Sequence, residues 1–231
     1  KRRQDSATVP EVSQFRSVLG KTAWYTQHHA QEFLYETSRL QGRVSTLEVQ
    51  DLFDVNKLVR SLKHKDSRYM HSLPKLRGED DDLRITVVCD GGNGSQDAED
   101  DKKAQSGYFI ALTSAVGSEC GVVYVRSGRA KRVTHDSFDI ETITGVEAVD
   151  AGLACAALVE EFLAGPMPSM KVRAMIGWLQ TEEGLSRPKV PLRVYTDCNS
   201  LTVNVRAPKT VRKLSRRRAV DVADLRECVA L

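Results

Sequence analysis

The ten residues LRITVVCDGG (Leu83–Gly92) decide the fold of this chain. Their apolar members alternate and are mostly β-branched, which predicts a strand with one buried face. Asp90 stands where this strand ends, and two glycines then allow the chain to turn. Because a carboxylate at the end of an apolar strand is costly without a cation, the stretch predicts a strand end that meets a cationic partner.

A second stretch repeats this design further along the chain. Residues 192–197 (LRVYTD) predict a short strand that ends in Asp197, and Asn199 and Ser200 follow as N-cap candidates for a helix. Carboxylate oxygens are the ligands that hard divalent cations prefer. Two aspartates at strand ends on one sheet can therefore share a metal ion.

Length and composition set the broad class of the protein. The 231 residues suffice for one large domain or two small ones, and 41% hydrophobic with 28% charged residues predicts a soluble globular chain. The five cysteines show no metal-ligand spacing and predict buried free thiols in a reducing intracellular compartment, which an organelle matrix also provides. No apolar run approaches transmembrane length, so we expect no membrane partner.

Positive charge is concentrated near the C-terminal end, although the net charge is only +3. One reading of this basic run is a solvated helix face, and the other is a surface that contacts phosphates. Because seven cations occur almost without compensating acids, we predict that the run binds nucleic acid. Its members are Arg206, Lys209, Arg212, Lys213, Arg216, Arg217 and Arg218.

Two domains are expected. Apolar residues recur at helical spacing from residue 11 to about residue 63, which predicts a small helical module over residues 1–75. A charged stretch then leads into an α/β domain over residues 76–231. There, strands at residues 106–113 and 120–125 form an antiparallel meander with the first strand. Later elements are a long helix over about 144–163, a helix near 169–181, the Asp197 strand and the basic helical run.

The order of these elements places three acids in sequence: Asp90 on the first strand, Glu147 on the long helix and Asp197 after the fourth strand. This order resembles the RNase H fold, and its detail resembles the RNase H domain of copia-type retrotransposon polyproteins. The segments that carry the resemblance are VCDGGNG (88–94) with QSGY (105–108), ITGVEA (143–148), VYTDCNSL (194–201) and RRAVDVADLRE (217–227). Upstream, FRSVLGK (15–21), SRLQ (38–41) and VNKLV (55–59) look like the tail of the reverse transcriptase in those polyproteins.

The resemblance implies an RNase H-like mixed sheet with flanking helices, preceded by a small helical module. It implies a two-metal Mg²⁺ site in which Asp90 bridges both ions, while Glu147 and Asp197 each hold one. It implies RNA or an RNA·DNA hybrid as the partner. The sequence also departs from the family, because it has no polymerase core and has HAQE (29–32) where a Thr-Arg-Pro-Asp element is expected. The family continues into a last strand, a helix and a fourth acid, which we expect residues 76–231 to lack.

Each acid has a simpler explanation by itself. Glu147 lies three residues after Thr144 and can complete a capping box. Asp90 can accept amides of the following turn, and Asp197 can cap the next helix. Three acids in the order of the family nevertheless favour a metal site over three unrelated structural roles.

Three functions are compatible with this pattern. The first is a domesticated retrotransposon fragment that binds RNA, largely without catalysis, beside other protein chains in a large ribonucleoprotein such as a ribosome. The second is an active, metal-dependent ribonuclease H that cuts the RNA strand of RNA·DNA hybrids. The third is a protein-interaction scaffold whose basic run contacts acidic protein surfaces.

Overall fold

The structure of the protein is a computed structural model. It describes residues 2–64, 83–92, 104–114, 120–130, 132, 134, 136–166, 174, 181–182, 190–207 and 214–229. Contacts divide the chain into two units, one of residues 1–70 with 125–131 and one of residues 71–124 with 132–231. The domain boundary predicted between residues 75 and 76 lies outside the described residues and stays a prediction.

The first unit is a helical module. Its helices are α1 (Val9–His29), α2 (Leu34–Gln41) and α3 (Val49–His64), with a 3₁₀ turn at Gln31–Phe33. At the start of α1, the Thr8 N–H donates to the Glu11 carboxylate at 2.7 Å, which satisfies a donor that the helix leaves open. The buried core of the module consists of Phe15, Leu19, Leu40, Leu47, Val55 and Leu58.

A four-stranded mixed sheet belongs to the second unit, except that residues 125–129 of its third strand are grouped with the first unit. Its strands are β1 (Leu83–Gly92), β2 (Gln105–Ser114), β3 (Cys120–Arg129) and β4 (Leu192–Tyr195), in the order β3-β2-β1-β4. β1 pairs antiparallel with β2 and parallel with β4, so it lies between them. This sheet, its flanking helices and the preceding helical module confirm the predicted fold class.

Helix α4 (Ser137–Ala164) packs across the sheet and begins earlier than predicted. The expected start was near residue 144, but Asp136 is the N-cap, and its carboxylate accepts from the Asp139 N–H at 2.7 Å. Small residues face the strands: a Cβ at Gly152 would lie 2.8 Å from Val87 and Leu192. Close approach of helix and sheet therefore depends on these small side chains.

By length and composition alone, α4 is also long and apolar enough to cross a membrane, although the sequence predicted no run of that kind. Half of its most apolar window is buried inside the protein, and its residues Ala148 and Ala156 pack in the core of the sheet. Helices α5 (Asn199–Arg206) and α6 (Arg216–Val229) pack on another side of α4, where Val149 and Leu225 are buried together. Most of the helix predicted near residues 169–181 lies outside the described residues.

Candidate metal centre

Three carboxylates converge at one edge of the sheet. Asp90, Glu141 and Asp197 each offer an oxygen, and the three oxygens lie within 4.8 Å of one another. Asp90 lies near the end of β1, and Asp197 follows β4 by two residues. Because β1 and β4 run parallel, their carboxyl ends meet at the same edge and bring these aspartates together. We call the three residues the acid cluster.

Glu141 belongs to the start of α4 and is the buried member of the acid cluster. Its side chain accepts a hydrogen bond from the Gly91 N–H at 3.2 Å. A Cβ at Gly91 would lie 2.9 Å from the backbone of Ile140 and Glu141, so a residue without a side chain lets β1 approach α4 this closely. Gly91 thereby fixes the position of the carboxylate that completes the cluster.

Burial and the repulsion between like charges change the pKa of one member of the acid cluster. The pKa of Glu141 is raised from 4.5 to about 7, first by burial and then by the charges of Asp90 and Asp197. The hydrogen bond from Gly91 opposes this shift because it favours the ionised form. A bound cation would relieve the same repulsion.

Cys89 packs beside the acid cluster as a neutral thiol. Its Sγ donates to the Tyr195 carbonyl at 3.6 Å. Burial raises its pKa to about 12, and the charges of the neighbouring carboxylates add to that effect. All five cysteines are free, as predicted, but Cys89 alone of them is buried, and Cys120 is exposed.

The sequence predicted Glu147 as the helix ligand, whereas the structure brings Glu141 to the two aspartates. Glu147 follows six residues later, which is about 120° around the helix and about 9 Å along it. Ala148, which packs into the sheet core, lies seven residues after Glu141, two turns further on the same face. With the helix start placed at Asp136, the small residues that face the sheet would have shown that Glu141 lies on the same helix face.

The donors of the acid cluster fit a hard divalent cation. They are all carboxylate oxygens, which Mg²⁺ prefers over nitrogen or sulfur ligands. The pKa of Glu141 is raised by burial and by neighbouring negative charges, and a bound cation would lower it again. Asp90, Glu141 and Asp197 are therefore the residues that would hold such an ion.

The basic run divides into residues with different surroundings. Arg206 is exposed at the end of α5, and Arg216 and Arg217 are exposed at the start of α6. Arg218 is only 4% exposed, so it does not lie on a phosphate-contacting surface as predicted. The remaining members lie outside the described residues: Lys209, Arg212 and Lys213.

Arg218 is the centre of a buried ion-pair network. Its Nε donates to the Asp139 carboxylate, and its Nη1 donates to Asp221 at 2.8 Å. Arg132 donates to the same Asp221 at 3.0 Å. We call these four residues the Arg218 network. It joins α6 to the first turn of α4, two residues before Glu141.

An open groove lies beside this network. It has a volume of about 620 Å³ and is lined by Arg132, Arg216, Arg217, Val220 and Asp221. Among the described residues that line it, three are cations. Since Asp221 already pairs with Arg132 and Arg218, the side chains of Arg216 and Arg217 make this arginine groove attractive to an anion.

Comparisons with known proteins give a distant structural likeness. No protein-family model matches the chain, and no curated protein matches it. Among solved structures, the chain is similar to a foamy viral protease-reverse transcriptase, solved in complex with an RNA/DNA hybrid. The two are 14% identical with a TM-score of 0.39, and the match covers 88% of this chain and 27% of the viral chain. At that TM-score the likeness carries no argument about function, which must come from the site itself.

Proposed function

We propose that this chain is an RNase H-like, nucleic-acid-binding protein that holds Mg²⁺ in the acid cluster for phosphodiester hydrolysis. The convergence of Asp90, Glu141 and Asp197 carries this proposal. Three carboxylates from two strand ends and one helix start are expensive to bring together, so their convergence favours a ligand over a structural role. The order of the three elements along the chain is also the order that the RNase H resemblance implies.

Each member of the acid cluster has a part in this function. Asp90 and Asp197 are exposed, so they can reach both a cation and a phosphate that approaches from solvent. Glu141 is buried and held by Gly91, so it fixes the inner side of the site. When bound, Mg²⁺ supplies activation of the attacking water and stabilisation of the leaving oxygen.

The arginine groove supports nucleic acid as the substrate class. Arg216 and Arg217 are exposed there, in the same unit as the acid cluster. Contacts to phosphate give register and affinity but carry no base information. We therefore propose that the protein binds RNA or an RNA·DNA hybrid through charge and shape, with little dependence on sequence.

A second candidate function is RNA binding without cleavage. In it, the chain derives from a copia-type polyprotein and serves as a structural component of a ribonucleoprotein, beside other proteins. The observation that favours it is the position of Glu147, because the acid that matches the family motif does not belong to the cluster. In the described chain the cluster also holds three acids, where the family has four.

Cleavage of a labelled RNA·DNA hybrid with Mg²⁺ distinguishes these functions. If the first proposal is right, the chain cuts the RNA strand, and Asp197→Asn and Glu141→Gln each abolish cutting. Glu147→Gln is the matched control, since it removes an acid from the same helix outside the cluster. Tight hybrid binding without cleavage would support the second function. An absence of binding would favour a protein-interaction scaffold over both nucleic-acid functions.

A further inference from the structure

The C-terminal end of α1 displays a group of exposed aromatic rings in the helical module. Trp24 is 62% exposed and Tyr25 is 39% exposed. The ring centroids of Trp24 and His28 are 5.0 Å apart, and those of Tyr25 and His29 are 5.3 Å apart. Large aromatic rings are costly to leave in water, so an exposed group of them marks an interaction surface.

A groove between α1 and α3 continues from these rings. It has a volume of about 550 Å³, and Trp24, Tyr25, Lys21 and Lys63 line it together with apolar residues of α3. Both lysines are exposed. We call this surface the Trp24 groove.

Charge around the Trp24 groove has one sign. Residues 20–29 and 55–64, which form the adjoining ends of α1 and α3, contain no Asp or Glu. They contain four cations: Lys21, Lys57, Arg60 and Lys63. The acids nearest to these two segments in the sequence are Glu32, which follows after α1 has ended, Asp54, which is paired with Arg39, and Asp66. A polyanion is therefore the partner whose charge this surface complements.

The floor of the Trp24 groove is held in place by the core of the module. Thr22 and Thr26 are buried, and the Thr22 hydroxyl donates to the Val18 carbonyl at 2.9 Å. Val55 and Leu58 of α3 belong to the core cluster. Since rigid elements carry the exposed rings, a ligand that stacks on them loses little to ordering of the protein.

We propose that the Trp24 groove binds a segment of single-stranded nucleic acid. Unpaired bases stack on exposed aromatic rings, and a cationic groove follows the phosphates, which together form the recognition mode for single strands. A duplex hides its base faces and could use the lysines alone. An acidic protein segment would likewise use the lysines but would gain no base stacking from Trp24.

The proposal goes beyond phosphodiester hydrolysis, because the groove belongs to the helical module and not to the unit that holds the acid cluster. The two sites can be separated in one experiment. The chain has two tryptophans, Trp24 and Trp178, and Trp178 lies outside the described residues. In a Trp178→Phe background, the fluorescence of Trp24 therefore reports on its own surroundings.

The experiment is a titration of the full Trp178→Phe chain with a short oligouridylate. Stacking of a base quenches Trp24, and we expect the quench to persist when Arg216→Gln and Arg217→Gln are added in the other unit. We expect Trp24→Ala to weaken binding roughly 5- to 150-fold, the value of one base stack, and the anisotropy of a labelled oligouridylate measures this because the variant lacks the reporting tryptophan. In a plot of log K against log salt concentration, the combined change Lys21→Gln and Lys63→Gln should make the slope less negative by about 0.7 for each lysine.

Controls decide between the occupants. Tyr35→Ala removes another exposed aromatic residue of the same module, 53% exposed, and should leave the affinity unchanged. If Trp178→Phe lowers the melting temperature, the difference spectrum between the natural chain and Trp24→Phe gives the same readout. The proposal is overturned if a blunt RNA duplex or a polyglutamate peptide quenches Trp24 at the same concentration, or if Trp24→Ala binds oligouridylate as well as the natural chain.

Discussion

Two charged groups lie at the N-terminal end of α4, and they are built in opposite ways. In the Arg218 network, two arginines and two aspartates alternate, so each charge that is taken out of water meets an opposite charge. In the acid cluster, which begins two residues later at Glu141, three carboxylates meet one another. In the Arg218 network the charges are compensated within the chain. In the acid cluster the negative charges are compensated only when a cation binds.

The charges that surround each group determine which of the two is a site. A buried ion pair repays its desolvation when partners and hydrogen bonds are in place, and then it contributes to the fold. A group of like charges raises the pKa of its most buried member, as Glu141 demonstrates, and lowers stability until a ligand arrives. The sequence places Asp139 and Glu141 two residues apart, yet their functions differ because their neighbours differ.

The largest effect is expected when the Arg218 network is broken. Arg218→Leu leaves the buried carboxylate of Asp139 without this arginine, and we expect a loss of about 3–5 kcal/mol in the free energy of unfolding. Urea unfolding measures it. Arg217→Gln is the matched control, because this neighbouring arginine is exposed and its replacement should cost about 0.5 kcal/mol or less. Equal effects of the two changes would mean that the buried pairing contributes nothing.

A smaller effect is expected at the contact between β1 and the acid cluster. Gly91→Ala places a Cβ about 2.9 Å from the backbone of Ile140 and Glu141, and backbone cannot move aside as a flexible side chain can. We expect a loss of about 1–3 kcal/mol in the free energy of unfolding, as for other overpacked sites. Gly92→Ala is the control, since nothing lies within 4 Å of its Cβ. A harmless Gly91→Ala would show that β1 does not need this close approach.

The acid cluster should also make stability depend on pH when metal is removed. Glu141 has a folded-state pKa raised from 4.5 to about 7, so its stabilising contribution is fully present below about 4.5 and is lost as pH rises through about 7. At about 1.4 kcal/mol for each pKa unit the full shift corresponds to about 3.5 kcal/mol. Since solvent reaches the site and screens its charges, the expected loss is on the order of 1–3 kcal/mol. Unfolding in urea with a chelator, at a series of pH values, measures it.

Glu141→Gln removes the titrating group and keeps the shape of the side chain. Its stability should therefore lack the decline that we expect for the natural chain between pH 4.5 and about 7. Parallel pH curves for the two proteins would assign the decline to other groups and would place the pKa of Glu141 near its ordinary value.

The sequence predicted the sheet better than it predicted the helix. The alternation in β1 and the acid at its end are local signals, because a strand has a period of two and its end is marked by glycines. The parallel pairing of β1 and β4, which brings Asp90 to Asp197, follows from a crossover of known form. The alternation and the strand end needed no knowledge of distant contacts, whereas the pairing of β1 with β4 was expected from the resemblance to the RNase H fold.

At two site residues the structure differs from the arrangement that the sequence predicted, and distant contacts account for both differences. Glu147 was named because ITGVEA (143–148) matches the family motif. The cap at Asp136 starts the helix about two turns before Thr144, and this added part of the helix carries Glu141. Arg218 was grouped with its exposed neighbours because charge alone does not reveal burial. Asp221 lies three residues from Arg218 on the same helix, whereas Asp139 lies on α4 and only folding brings it to Arg218.

Thermal unfolding with Mg²⁺ tests whether Glu141 or Glu147 is the helix ligand. A cation that binds only the folded state stabilises it, by about 1.4 kcal/mol when its concentration is ten times its dissociation constant. We expect Mg²⁺ to raise the melting temperature of the natural chain and of Glu147→Gln, but not that of Glu141→Gln or Asp90→Asn. Because Glu141 must lose its proton to bind the ion, the increase should grow as pH rises through about 7. If Glu147→Gln abolishes the increase and Glu141→Gln keeps it, the family motif identifies the ligand and the convergence at Glu141 does not.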